Sequence, residues 1–303
     1  MYEFSVFYIF HFIVFIKLNC TFEIMNSSKY YLLSIDLEDV RFRMDNGKYL
    51  PEKLVINVIE YLSFLEKHDA KVTFFTVGDI AVHYPDLIKE ITKKGHEIAC
   101  HSLNHGHIDN HTPESFYKDI SECKELLLKA GAETVIGYRA PRFSLTSETQ
   151  WAYGMLAKAG FTYSSSVLPA KNPIYGWENF GNAVKIMDGI IEIPMSIYPP
   201  GNRFSLPFGG GVYFRALPYC LIQYYFKKHF QEQNFCTGYF HPYDIDDEVE
   251  HFRFPEIKNA LFHFLLYYNR RNTLKRLDKI VDNGYIFTTY ADFIASLDLP
   301  EHE

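Results

Sequence analysis

Residues 71–105, KVTFFTVGDIAVHYPDLIKEITKKGHEIACHSLNH, decide the fold. Lys71–Val77 is β-branched and aromatic, the make-up of a buried strand. Asp79–Lys94 carries apolar residues at helical spacing and meets Gly95, a helix stop. Glu97–Cys100 is then a second short strand. Two strands joined through a helix form a right-handed βα unit, and such units build a parallel sheet.

The same rhythm extends in both directions. Upstream, Tyr31–Ile35 is a buried strand and Lys53–His68 a helix with Leu54, Val55, Val58, Ile59, Leu62 and Leu65 at helical period. Downstream come a helix over Glu114–Ala130, a strand over Thr134–Tyr138 and a helix over Ser147–Ala159. Between about 168 and 215 the pattern loosens into Gly- and Pro-rich punctuation, and only Gly189–Ile197 reads as a strand. It resumes with a helix over Leu217–Phe230, a strand over Cys236–Phe240, a helix over Asn272–Asn283 and a strand over Tyr285–Thr288. The expectation is a single α/β domain over residues 25–298 with one long irregular insertion at about 168–215.

Composition excludes several classes. The 303 residues are 48% hydrophobic and 22% charged, an ordinary globular balance. The net charge of −7 gives no basic field to gather phosphates, so no nucleic acid is expected as partner. The five cysteines form no CxxC pair, which argues against a thiolate zinc site and favours a reducing compartment. Residues 1–24 stand apart. Phe4–Ile16 is apolar but interrupted by His11 and shorter than the roughly 20 residues a membrane span needs. It lacks the basic residues that open a signal peptide. A spurious start ahead of Met25, an export or anchoring segment, and a structural strand are the three readings. The first makes a cytoplasmic location the expectation over export, with no membrane signal beyond residues 4–19.

Polar residues collect at the C-terminal ends of the expected strands. Asp36, Glu38 and Asp39 follow the first strand, His101 and His105 follow EIAC, Arg139 follows TVIGY and His241 follows CTGYF. In a parallel β/α barrel those ends converge on one mouth, where active sites are built. The i, i+4 spacing of His101 and His105 places two imidazoles on one side of a helical turn, able to grip one metal. Two histidines and a carboxylate with open positions make a catalytic divalent-metal set. Of the acids, one would bind metal and another remain a general base. Arg139 would hold that base ionised, and His241 suits a general acid. Each feature has a plain alternative: surface histidines, an acidic helix cap, an arginine before a rigid turn, a structural histidine. Gly209–Gly211 lacks the P-loop lysine and is expected to be a tight loop.

In order, Asp36–Asp39, His101-Ser-x-x-His105, Arg139-x-Pro141, the Gly-Phe-x-Tyr segment at 160–163 and His241 resemble the polysaccharide deacetylases of the NodB-homology type, carbohydrate esterase family four. The runs GHEIACHSLNH and YRAPRFS carry much of the likeness. Gly-Gly-Gly-x-Tyr-Phe-Arg-x-x-Pro at 209–218 and Phe-His-Pro at 240–242 resemble a branch with an extended C-terminal region. The resemblance implies a distorted (β/α) barrel and metal-dependent removal of N-acetyl groups from the amino sugars of an oligo- or polysaccharide. It implies Asp36 as base, His101 and His105 as metal ligands, Arg139 as the tether of Asp36, and His241 as acid. Glu38 and Asp39 compete for the metal carboxylate. Zinc is the expected ion, with cobalt or nickel as alternatives. Tyr138 and Pro141 beside the arginine are expected to contact substrate, and Tyr175, Trp177, Tyr213 and Phe214 are candidates to stack on sugar rings. One position departs: Ser164 stands where relatives tend to carry an aspartate that tunes the acid histidine. Either Asp244 or Asp246 replaces it, or the acid is weaker here. The other classes consistent with these residues are a different metal enzyme, such as an iron oxygenase or cyclic-amide hydrolase, and a non-catalytic glycan-binding barrel.

Overall fold

The computed structural model describes residues 28–44, 47–171, 175–200, 205–248 and 260–297. Residues 1–24, with the apolar stretch at 4–19, lie outside the described residues, as do 172–174 and 201–204 of the insertion. Among the described residues no helix is long and apolar enough to cross a membrane.

The strands are β1 (Tyr30–Leu37), β2 (Thr73–Thr76), β3 (Glu97–Cys100), β4 (Gly137–Tyr138), β5 (Tyr163–Ser164), β6 (Lys185–Met187), β7 (Ile190–Glu192), β8 (Phe235–Phe240) and β9 (Ile286–Phe287). Among the described residues they form one sheet in the order β6-β7-β5-β4-β3-β2-β1-β8, with β9 also on β1. The ladders are parallel except for the β6–β7 hairpin. Parallel neighbours need a crossover, and helices over Leu54–Lys67, Pro85–Lys93, Pro113–Lys129 and Ala152–Lys158 supply it.

The sheet curls, and strand alternation sorts its side chains. Leu32, Phe75, Ala99, Tyr163 and Ile193 pack inside the curl with Tyr290 and Phe293. Leu33, Ile35, Phe74 and Ile98 face outward beneath the helices, against Val58, Leu62, Ile88 and Ile120. Successive residues of a strand point to opposite faces, so Ser34 and Asp36 fall on the Leu32 side. Asp36 lies opposite Phe75 in the β1–β2 register.

The curl is completed by side chains rather than by a regular ladder. The segment after β7 lies along β8: the Ser196 N–H donates to Thr237 Oγ1 at 2.6 Å and the Thr237 N–H to Ser196 Oγ at 2.9 Å. Gly209 and Gly210 press against the same strand. A Cβ on either would fall on the carbonyl oxygen of Thr237 or Tyr239, so only glycine allows this approach. The glycine run is therefore a close-packing device.

Several expected elements differ in extent. The helix expected over Asp79–Lys94 is two, Gly78–His83 and Pro85–Lys93. Pro85 has no N–H and drives Tyr84 out of the helical region, to φ −133° and ψ 51°. The strand expected over Thr134–Tyr138 pairs only at Gly137–Tyr138, and the helix expected over Ser147–Ala159 is regular only over Ala152–Lys158. The strand expected over Gly189–Ile197 is regular only at β7, and its hairpin partner β6 and the helices Ala260–Tyr267 and Tyr290–Ala295 were not anticipated.

Candidate active site

Arg139, fully buried, organises the floor of the mouth. Its Nη1 donates to Asp36 Oδ1 and to Ser34 Oγ, both at 2.7 Å. Nε reaches the Ser165 carbonyl at 3.0 Å, and Nη2 reaches the Tyr290 hydroxyl at 2.9 Å. The guanidinium lies 3.9 Å from the Phe75 ring centroid. Burial alone would raise the Asp36 pKa, but the Arg139 guanidinium beside it, by its charge and its hydrogen bond, outweighs burial and holds the carboxyl below its ordinary value. Asp36 is thus an anion with one oxygen committed to Arg139.

His101 Nδ1 lies 2.8 Å from the Arg139 carbonyl. A carbonyl only accepts, so Nδ1 carries the proton and Nε2 keeps its lone pair. The His101 and His105 rings are 5.2 Å apart, centroid to centroid. They meet across a bent loop, not the helical turn that the spacing suggested: Ser102 and His105 sit at φ 63° and 57°. Left-handed backbone is unfavourable for residues with a Cβ. It is held here by the Gly78 N–H on the Ser102 carbonyl at 3.0 Å and the Gly106 N–H on Ser102 Oγ at 3.0 Å. Burial lowers both histidines, His101 to about 4, which keeps them neutral.

Glu38 joins the cluster and Asp39 does not. Glu38 Oε2 is 3.0 Å from His105 Nε2, and Oε1 is 3.6 Å from His241 Nε2. Asp39 turns the other way. It caps the short helix Val40–Arg43 through the Arg41 N–H at 3.0 Å and pairs with Arg41 Nη2 at 2.6 Å. The expectation that Asp39 is a metal ligand is corrected on that ground. Tyr138 is corrected likewise. Arg139 takes the inward side, so Tyr138 points outward and packs edge-on to Phe116 and Phe161 in the core. Pro141 is buried at the start of the turn that follows Arg139. Among the stacking candidates, Phe214 is buried against Phe240, and Trp177 packs on Phe180. The Tyr175 hydroxyl meets His107 and Asp109, each at 3.0 Å.

The Ser164 question also has a geometric outcome. Ser164 is buried and bonded to Ser166 Oγ at 2.7 Å. Asp246 is bonded to Asn57. Asp244 is the acid at His241: its Oδ2 accepts the His241 backbone N–H at 2.8 Å and lies 3.2 Å from ring Nδ1. Burial would lower the pKa of the ring, but the bond to Asp244 and the charges of Asp244, Glu38 and Asp36 push it up to about 9. Tyr290 and Arg215 complete the polar network and escaped sequence reasoning. Tyr290 follows an ordinary pair of threonines, whereas Arg215 sits within the Gly-Gly-Gly-x-Tyr-Phe-Arg run, the signal that would have found it.

Among the described residues no three His, Cys, Asp or Glu side chains meet as a preformed metal cluster. The donor set nevertheless suits a divalent cation. Two neutral imidazoles and a carboxylate adjoin one another, and the His101 tautomer is fixed by a carbonyl behind it, the support that metal-binding histidines generally have. A cleft of about 520 Å³, counting space open to solvent, runs from Glu38 past Arg41 and Lys53 to Tyr243.

Residues 45–164 match the polysaccharide deacetylase family, and residues 165–295 match a domain of unknown function, DUF3473. His101, His105 and Arg139 fall in the first match and His241 and Asp244 in the second, while Asp36 and Glu38 precede both. A peptidoglycan-N-acetylglucosamine deacetylase of Bacillus cereus is 33% identical over 82 residues, 27% of this chain and 38% of that protein. A chitooligosaccharide deacetylase of a Bradyrhizobium species is 26% identical over 152 residues, 48% of this chain and 67% of that protein. The chain thus spans little more than a third of the length of the Bacillus relative. The crystal structure of a candidate polysaccharide deacetylase from Mycobacterium smegmatis shares the fold, with a TM-score of 0.56 at 17% identity over 94% of this chain and 99% of that one.

Proposed function

We propose that this chain, whose residues 45–164 match the polysaccharide deacetylase family, hydrolyses N-acetyl groups on the amino sugars of an oligo- or polysaccharide, with the aid of a metal ion. The observation that carries this reading is the pair of ion-paired groups that flank Glu38, one buried and one half-buried. Asp36 is held as an anion by Arg139, and His241 is backed by Asp244.

His101, His105 and Glu38 would hold a divalent cation, zinc by expectation, which lowers the pKa of water towards about 7 and polarises the acetyl carbonyl. The chain's own groups move the protons. Asp36 accepts the proton of the attacking water as the new C–O bond forms. Arg139 keeps Asp36 ionised until then and fixes the oxygen that stays bonded to it. His241 donates its ring proton to the sugar nitrogen as the C–N bond breaks, giving acetate and the free amine. Each proton transfer of this kind supplies about 10²–10⁴-fold. The reading of a non-catalytic barrel rested on Ser164 and loses that support, since Asp244 backs the acid.

Acetate release from N-acetylated chito-oligosaccharides and peptidoglycan fragments, with zinc added, tests the reading. Turnover is expected on at least one of them, and Asp36→Asn should lower it by about 10²–10⁴-fold. Absence of acetate from the whole N-acetylated panel would refute it.

A further inference from the structure

Behind His241 and its partner Asp244 lies a row of buried groups that take no part in the proposed proton transfers, all drawn from the 165–295 match. Arg215 is fully buried at the end of the short helix Gly211–Ala216. Its Nη2 meets Asp244 Oδ1 at 2.8 Å. The same guanidinium donates to the Tyr268 carbonyl at 2.7 Å and the Leu266 carbonyl at 3.1 Å. Those carbonyls close the helix Ala260–Tyr267, the end where a helix carries partial negative charge. The Asp244 backbone is pinned as well: the Thr273 hydroxyl donates to its carbonyl at 2.7 Å.

The row alternates in sign: helix carbonyls, Arg215, Asp244, His241. A carboxylate can only accept, so the contact between Asp244 Oδ2 and His241 Nδ1 requires the proton on Nδ1. That choice turns Nε2 towards Glu38 and the mouth. Tyr243 stacks on the ring at 4.7 Å and 8° and limits its rotation. The glycine run explains why the arginine is here. Gly209 and Gly210 seat the backbone directly on β8, so the helix that follows delivers Arg215 beneath the His241 turn. A buried ion pair is a poor source of stability, because desolvation offsets much of the attraction. One whose free oxygen is aimed at an active-site imidazole has another use.

We propose that Arg215 is a positioning residue of the reaction, bracing Asp244 so that His241 keeps its Nδ1–H on that carboxylate and presents the Nε2–H of the doubly protonated ring to the departing amine. The DUF3473 match thereby supplies the proton-donor side of the site. This inference rests on the deacetylase reading, and the test separates the two.

An amine leaves only when protonated, whereas the phenolate of an aryl acetate leaves without help. In Arg215→Gln and Asp244→Asn, acetate release from N-acetylchitotriose should fall by about 30-fold or more, and hydrolysis of 4-nitrophenyl acetate by less than about threefold. Arg215→Lys, which keeps the charge, should recover part of the loss. Equal losses on both substrates in variants that melt like the parent, or no loss on either, overturn the brace. Nitrogen-15 spectra of the histidine rings give a readout independent of turnover. With the ring made neutral, at a pH above its value of about 9, the parent should show His241 as the Nδ1–H form and Arg215→Gln a mixture of tautomers; an unchanged tautomer in Arg215→Gln also overturns it. A parent that releases acetate from neither substrate defeats the deacetylase reading, and the ring spectra then still decide the brace.

Discussion

Asp36, Glu38 and Asp39 occupy four consecutive positions with Leu37, and backbone direction gives them different tasks. Asp36 meets Arg139, Glu38 meets His105, and Asp39 turns to Arg41. Glu38→Gln should therefore weaken zinc binding by an order of magnitude or more, as outer partners of metal sites alone are worth about 10–100-fold. Asp39→Asn should leave zinc affinity near that of the parent, and calorimetric titration of both variants checks this. Arg139→Met removes the partner of a buried carboxylate and should cost about 3–5 kcal/mol in urea unfolding. Adding Asp36→Asn to that variant should restore part of the loss, because the charge left uncompensated is gone.

The strand ends and the loops after them set the geometry, and two buried histidines away from the site give the elements a pH signature. Burial lowers both His96 and His229 to about 4. His96 adjoins β3, and its Nδ1 accepts the Val72 N–H at 3.4 Å. His229 ends the helix Tyr219–His229 and packs on Phe208. In the unfolded chain both would titrate near about 6.5. The folded values lie below the unfolded one, so the unfolded state binds more protons in between. The stability is fully present above about pH 6.5 and declines as pH falls towards 4. The melting temperature should drop between pH 7 and pH 5, and drop less in a His96→Asn, His229→Gln double variant.

Across the whole molecule the two family matches share one sheet. β1 pairs with β2 on one side and on the other with β8, from Tyr30↔Phe235 to Ile35↔Phe240, and it also meets β9. A fragment of residues 28–164 lacks β8 and β9 and exposes the edge of β1, so it should show no cooperative unfolding transition by circular dichroism in urea. A sharp transition in that fragment would mean that the deacetylase match folds alone and that the 165–295 match is an attachment. The site repeats the pattern: Asp36, His101, His105 and Arg139 come before residue 165, and His241, Asp244 and Tyr290 after it.

Local spacing in the sequence was enough to determine the α/β alternation and to place Asp36, His101, His105, Arg139 and His241 at the ends of strands, because strand and helix periods and the ends of buried strands are properties of neighbouring residues. Only the tertiary structure decided that Glu38 rather than Asp39 joins the histidines, that Tyr138 belongs to the core, and that Asp244 and Arg215 stand behind His241. Which acid meets which base depends on the inward or outward side of a strand and on register between segments as far apart as Arg139 and Tyr290. That information is created when β1, β4 and β8 are laid in one curled sheet, and it has no trace in any short window of the chain.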